Sequence, residues 1–192
     1  MTLRVTMTPA AFGNQSASPG IADRLGLQVV TDFYDWALSA GKGFQVRAGT
    51  ITAPLTGDID ITDAAAEMSA DAPLNTTIIP VYLNVDIESL GGTLPNVAAK
   101  SVGAASTAGA AFIPLPLLMG GDASVATARV AAAGGVTVAA ELATTTRRHL
   151  SATIAAVGNQ VPVVDHEFRP APRHQGIACF YVQVGTVTTG SV

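Results

Sequence analysis

The sequence predicts an all-β chain: an antiparallel jelly roll or β-sandwich of about eight to ten strands behind an extended N-terminal arm. Three observations carry this. Apolar residues recur at every second position, most plainly in "TTIIPVYLNVDIES" (76–89). Short β-compatible runs follow one another, separated by Gly-rich turns and with no long helices between them. Hydrophobic residues make up 48% of the chain but aromatics only 5%, so the apolar content is chiefly Ala, Val, Ile and Leu.

Taken in order, residues 1–24 mix Thr, Ser, Asn, Gln, Gly and Pro with little periodicity and read as an arm that orders against neighbours. Residues 25–192 form one domain. In 25–41, Val29, Val30, Phe33, Trp36 and Ala37 fit one helical face with Gly41 as its stop, yet "LQVVTDFYDWAL" reads equally as a strand. "FQVRAGTITAPL" is expected as a strand ending near Pro54, and "DIDIT" as a short alternating piece. "AAAEMSADAP" suits a helical turn or a strand.

In 76–89, Thr77, Ile79, Val81, Leu83, Val85 and Ile87 are expected to face inward. Pro80, Tyr82, Asn84, Asp86 and Glu88 then face outward, with Pro80 at a sheet edge or bulge because it cannot donate to a ladder. Further strands are expected in "NVAAKSV", "AAFIPLPLL", "SVATARVAA", "VTVAAELAT", "HLSATIAAV", "QVPVV" and "IACFYVQVGTV". Gly91-Gly92, Gly120-Gly121-Asp122, Gly134-Gly135 and Gly158-Asn159 supply the reversals. Two stacked sheets in a jelly roll suit this strand number. No repeat of solenoid or propeller length is present.

Charged residues are 12% of the chain, about half of the roughly 25% usual in soluble domains. Mean hydropathy is +0.40. A solitary chain of this composition would hold much weakly polar surface in water, whereas permanent interfaces are depleted in charge, so the composition points to an assembly. A net charge of −4 with only Lys42 and Lys100 as lysines argues against nucleic-acid binding, and Arg147-Arg148 reads as a solvated strand edge. Pro114 and Pro116 break the uncharged stretch 101–121, which is read as extended structure and not as a membrane span. The lone Cys179 sits in "GIACFYVQV" and reads as a buried structural thiol.

The most chemical stretch is "VVDHEFRPAPRHQG" (163–176). As a metal site it offers Asp165, His166, Glu167 and His174, but alternation on a strand opposes His166 to its two acidic neighbours, and neither H-x-H nor H-E-x-x-H occurs. As a catalytic site it lacks a G-x-S-x-G elbow, and His149 has no Ser or Cys partner in view. Asp58/Asp60 and Asp86/Glu88 fit solvated strand faces better than glycosidase pairs. As a connector the stretch makes sense: Pro170 and Pro172 favour extended geometry, Phe168 supplies an anchor, and Arg169 and Arg173 can reach carboxylates or carbonyls of a neighbour. These five residues are the expected subunit contact, joining a strand that ends at Val164 to one that begins at Ile177. No enzymatic activity, cofactor or metal is expected.

The succession "GKGFQVRAGTITAPLTG", "SADAPLNTTIIPVYLNVDIE", "AAFIPLPLLMGGDASVATARV" and "FRPAPRHQGIACFYVQVGTVTTGSV" resembles bacteriophage virion structural proteins with a jelly-roll fold. The likeness lies in a central "T-x-I-I-P-V" strand and an "R-P-x-P" connector before a late strand, and covers roughly residues 41–190. It implies a capsid or capsid-decorating subunit of the virion, a homo-oligomer with trimeric or lattice contacts to itself and to other virion proteins. Where another terminal strand is expected after "TTGSV", a neighbouring chain would complete the sheet. The alternatives are a carbohydrate- or receptor-binding sandwich of a virion, which would want more exposed aromatics, and a metal-dependent jelly-roll enzyme.

Overall fold

The computed structural model of the chain describes residues 21–22, 28–29, 33–50, 52–58, 60–87, 95–131, 135–154 and 163–186. Strands dominate them, and every pairing between strands is antiparallel, as expected of an all-β sandwich. Of the arm expected over 1–24, Ile21 and Ala22 are described: they form β1 (Ile21–Ala22), paired with β2 (Gln28–Val29). The rest of the arm lies outside the described residues.

The ambiguous stretch 25–41 contains both structures. After β2 comes helix α1 (Phe33–Ser39), with Asp35 in its first turn, where a carboxylate suits the helix dipole. It stops where expected. Gly41 takes a left-handed φ of 66°, and the Lys42 N–H donates to the Ala37 carbonyl at 2.7 Å.

The expected strand over 44–55 shrinks to β3 (Phe44–Gln45), because Gly49 turns at φ 70° and Thr50 and Ala53 exchange backbone hydrogen bonds. "AAAEMSADAP" resolves as strand, β4 (Ala65–Ala66) and β5 (Met68–Ala72). The single strand expected over 76–89 is broken at Ile79–Val81 into β6 (Thr77–Ile78) and β7 (Tyr82–Asp86). Pro80 lies in that break. Leu83 and Ile87 are buried as expected, but Thr77 and Val81 are exposed, so the inward phase changes across the break. Glu88 lies outside the described residues.

Next come β8 (Pro95–Val102), β9 (Thr107–Ala108), β10 (Ala110–Phe112), β11 (Leu115–Pro116) and β12 (Thr127–Val130). Then follow β13 (Val136–Thr137), β14 (Arg147–Thr153), β15 (Val163–Glu167), β16 (His174–Gln175) and β17 (Ala178–Thr186). Gly120, at φ 78°, turns the chain between β11 and β12 as foreseen. The Gly91-Gly92 and Gly158-Asn159 reversals lie outside the described residues. Instead of eight to ten continuous strands, the described residues hold seventeen, many only two residues long.

The main sheet runs β10-β12-β5-β17-β8-β14. Alternation gives it two faces. On one, Val97 and Ala99 of β8 and Phe180 and Val182 of β17 meet Leu83, Ile87, Val164 and Phe168 from the β7–β15 side. On the other, Val102, Cys179 and Tyr181 meet Ala66, Val136 and Val138 from the β4-β13-β9 sheet. β8 is covered on both sides and buried at every position. Its small residues Ala98 and Ala99 let the covering layers close in. Cys179 is fully buried, and burial pushes its thiol well above the usual range, so it behaves as a small packing residue.

Candidate interaction surface

The stretch 163–176 begins as a strand three residues longer than expected. β15 pairs with β7 through Glu167↔Tyr82, and β17 starts at Ala178. Alternation on β15 leaves Asp165 and Glu167 exposed while His166 is half-buried. Phe168 leaves the strand and enters the chain's own core. It is 3% exposed, and its ring lies edge-on to Phe180 at 5.7 Å and to His166 at 4.7 Å. Arg169 and Pro170 follow on the surface through a cis peptide bond, with Pro172 half-buried and Arg173 exposed. Arg169 reaches Glu167 at 2.6 Å. Of the five expected contact residues, Phe168 thus anchors the connector from within, and the other four are displayed to different degrees. Arg148, His149 and His166 join Glu167–Pro170 and Pro172 around an open groove of about 360 Å³.

Under this connector all three histidines gather, although they are spread over β14, β15 and β16. A bulge between Arg148 and Leu150 inserts His149 as an unpaired residue in β14. Its Nε2 meets the Ser101 hydroxyl at 2.7 Å, and its ring centroid lies 5.3 Å from that of His174. His174 is 6% exposed, stands 5.8 Å from Phe180, and has no hydrogen-bond partner at Nε2. Burial first, then the neighbouring His149 and Arg147, bring its pKa down to about 4.

That shift predicts acid sensitivity. Between about 6.5 and about 4 the unfolded chain holds the His174 proton more tightly than the folded one, so stability falls as pH drops through this window. The loss is about 3 kcal/mol when complete. Glu67 acts in the opposite sense. Burial raises its carboxyl to about 7 against the pull of the Val184 and Asp58 N–H groups, so its contribution falls as pH rises from about 4.5 to 7. The wild-type profile mixes the two. Urea unfolding of wild type and His174→Phe at each pH separates them: the variant should gain on wild type by about 3 kcal/mol between pH 7 and pH 4. A pH-independent difference would refute the assignment.

The opposite face of the main sheet carries a buried polar network that sequence reasoning missed. Lys100 is 0% exposed and donates to the Ile61 carbonyl, to Glu141 Oε2 at 2.5 Å and to Gln183 Oε1 at 2.8 Å. Burial pulls its amine below the usual lysine range, and the Glu141 carboxylate pulls the other way. Arg148 grips Glu141 with two guanidinium nitrogens, Nη2 at 2.7 and 2.8 Å and Nε at 3.1 Å. Burial opposes ionisation of Glu141, but Arg148 and Lys100 outweigh it and hold the carboxyl below its ordinary range. Glu67, from the break between β4 and β5, accepts the Asp58 N–H at 3.0 Å and the Val184 N–H at 2.8 Å. Gly57 and Ile61 thereby lie against β17: a Cβ on Gly57 would meet Val184 O at 2.5 Å, and one on Gly185 would meet Ile61 Cγ2 at 2.7 Å. These groups are satisfied by one another, and what they do is join layers.

A third feature faces solvent. Among the described residues fourteen large hydrophobic side chains are exposed, and seven of them fall within 36–38 and 113–119. That concentration makes a patch. β11 pairs with β3, the Leu117 N–H donates to the Gly43 carbonyl at 3.0 Å, Gly43 lies against Leu38 and Leu117, and Gly41 lies against Leu118. α1, β3 and β11 thus form one lobe displaying Trp36, Leu38, Leu115, Leu117, Leu118 and a 94% exposed Met119. Neither Pro114 nor Pro116 prevents this, since β11 is only two residues long.

The chain matches no family model, no curated protein and no solved structure. What it does must therefore be argued from its own surfaces.

Proposed function

We propose that this chain is a structural subunit of a bacteriophage particle, a shell or shell-decorating protein of jelly-roll type that works through contacts between copies and with other virion proteins. The observation that carries this reading is the large apolar side chains left in solvent on a chain with only 12% charged residues. Monomeric soluble proteins rarely expose such contiguous patches without a partner to cover them. The β-sandwich supplies a rigid scaffold, and the connector displays Arg169, Pro170, Pro172 and Arg173 from a buried Phe168 anchor, as a second contact region.

Sedimentation velocity and negative-stain electron microscopy of the purified chain test it. The expected result at micromolar concentration is a closed homo-oligomer, trimeric or larger, or a shell. A monodisperse monomer across the concentration range would overturn the reading.

One observation favours a second reading, a receptor- or carbohydrate-binding module of a virion: the groove of about 360 Å³ beside the connector, lined by Arg148, His149, His166 and Glu167. Glycan binding by the isolated subunit, abolished by Arg148→Ala, would select it.

A further inference from the structure

We infer that the lobe of α1, β3 and β11 is an isologous contact, seating against the same lobe of a second copy of this chain. The inference rests on the assembly reading above and names where one of its contacts lies.

The first argument is area. Trp36, Leu38, Leu115, Leu117, Leu118 and Met119 are 50%, 39%, 59%, 51%, 44% and 94% exposed. Against fully exposed areas of such side chains, this leaves on the order of 650 Å² of apolar residue surface in water, above the usual largest patch of a monomer. It approaches the roughly 800 Å² that each partner contributes to a stable interface. A small ligand would cover only part of it.

The second argument is charge. Among the described residues, the exposed charged side chains bordering the lobe in sequence are Asp35, Asp122, Lys42 and Arg47. Both signs are present among them, so the described rim asks for neither a polycation nor a polyanion. A rim of mixed sign suits a two-fold contact, because an acidic group can then find a basic one on an identical surface.

The third argument is that among the described residues no second concentration of exposed apolar side chains matches this one. The remaining exposed large hydrophobics among the described residues, such as Leu74, Leu142 and Ile177, are dispersed along the chain. A head-to-tail contact would need a second apolar surface of comparable size. The lobe matches itself. Combined with a three-fold contact elsewhere, a two-fold contact here gives particles with an even number of copies.

The experiment uses the full chain with Met119→Glu and Met119→Lys. Met119 is almost wholly exposed, so neither change should disturb the fold, and circular dichroism and melting temperature verify this. Each variant alone should weaken self-association by on the order of 30-fold or more, the loss typical of a hot-spot residue. Each variant should also bind wild type more weakly than wild type binds itself, since a two-fold contact puts the altered lobe into every mixed pair. Leu115→Glu gives a second, independent disruption. If wild type associates and the correctly folded variants associate equally well, the lobe is not a contact, while the assembly reading stands. If each variant fails to self-associate but binds wild type as tightly as wild type binds itself, the lobe docks on a different surface, and the isologous inference fails. If wild type is a monomer throughout, both fail together.

Discussion

Replacing Lys100 with Met should destabilise the chain by about 3 kcal/mol, the lower end for breaking a buried ion pair, since Glu141 stays partly in solvent. For a domain of this size that is a drop in melting temperature on the order of 10 °C. The reason is the geometry around its amine. Without it, the Ile61 carbonyl and Gln183 Oε1 lose their shared donor, and Glu141 keeps only Arg148. Lys100 is 0% exposed, so water cannot take the place of the ammonium. Because Glu141 is then a carboxylate held on one side, Lys100→Met combined with Glu141→Gln should recover part of the loss. A thermal melt of the four-member cycle reads this coupling directly. Additive effects of the two substitutions, or a shift of less than about 2 °C for Lys100→Met, would show that the network contributes little.

Phe168→Ala should cost about as much, roughly 3–5 kcal/mol, through a different mechanism. Its ring fills the space between β15 and β17 against Phe180 and His166, and the surrounding strands cannot collapse into the void. The effect should reach beyond stability. Phe168 pins the start of the connector, so Arg169, Pro170, Pro172 and Arg173 would lose their fixed presentation. Hydrogen exchange should show faster exchange at Gln175 and across 163–167. Phe168→Leu keeps much of the buried area and should lose far less on both counts. Equal losses for Leu and Ala would mean that packing at this position is not what holds the connector.

Much of the architecture was legible because β-sheet periodicity is local. The alternation around Leu83 and Ile87 and the long apolar run around Phe180 each specify a strand from a handful of neighbours. Where reading failed, the cause lay in backbone detail or in distance. Gly49 and Thr50 turn a run of β-compatible residues away from the sheet after Gln45, and the break at Ile79–Val81 changes the inward phase that unbroken alternation would keep. Sequence reasoning weighed Lys100 only as one of two lysines, within the expected strand "NVAAKSV". Its partners Glu141 and Gln183 are 41 and 83 positions away, and nothing local to "NVAAKSV" announces them. The gathering of His149, His166 and His174 is equally non-local, and the bulge that aims His149 leaves no mark in composition. The apolar lobe was half legible: "PLPLLM" lies in the uncharged stretch broken by Pro114 and Pro116, but its exposure follows from a two-residue pairing with Phe44–Gln45.

The position of β17 has a consequence for how the chain reaches its native state. It is the seam of the main sheet, with β5-β12-β10 on one flank and β8-β14 on the other, and no other strand among the described residues joins the two halves. Its partners on β5 precede it by more than a hundred residues, a separation that slows the search for native pairing. Until residues 178–186 emerge from the ribosome, two bare edges wait with open backbone groups, each a template for a stranger's strand. Crowded synthesis of many copies would place such edges side by side, which makes the interval before the seam closes the chain's most hazardous moment.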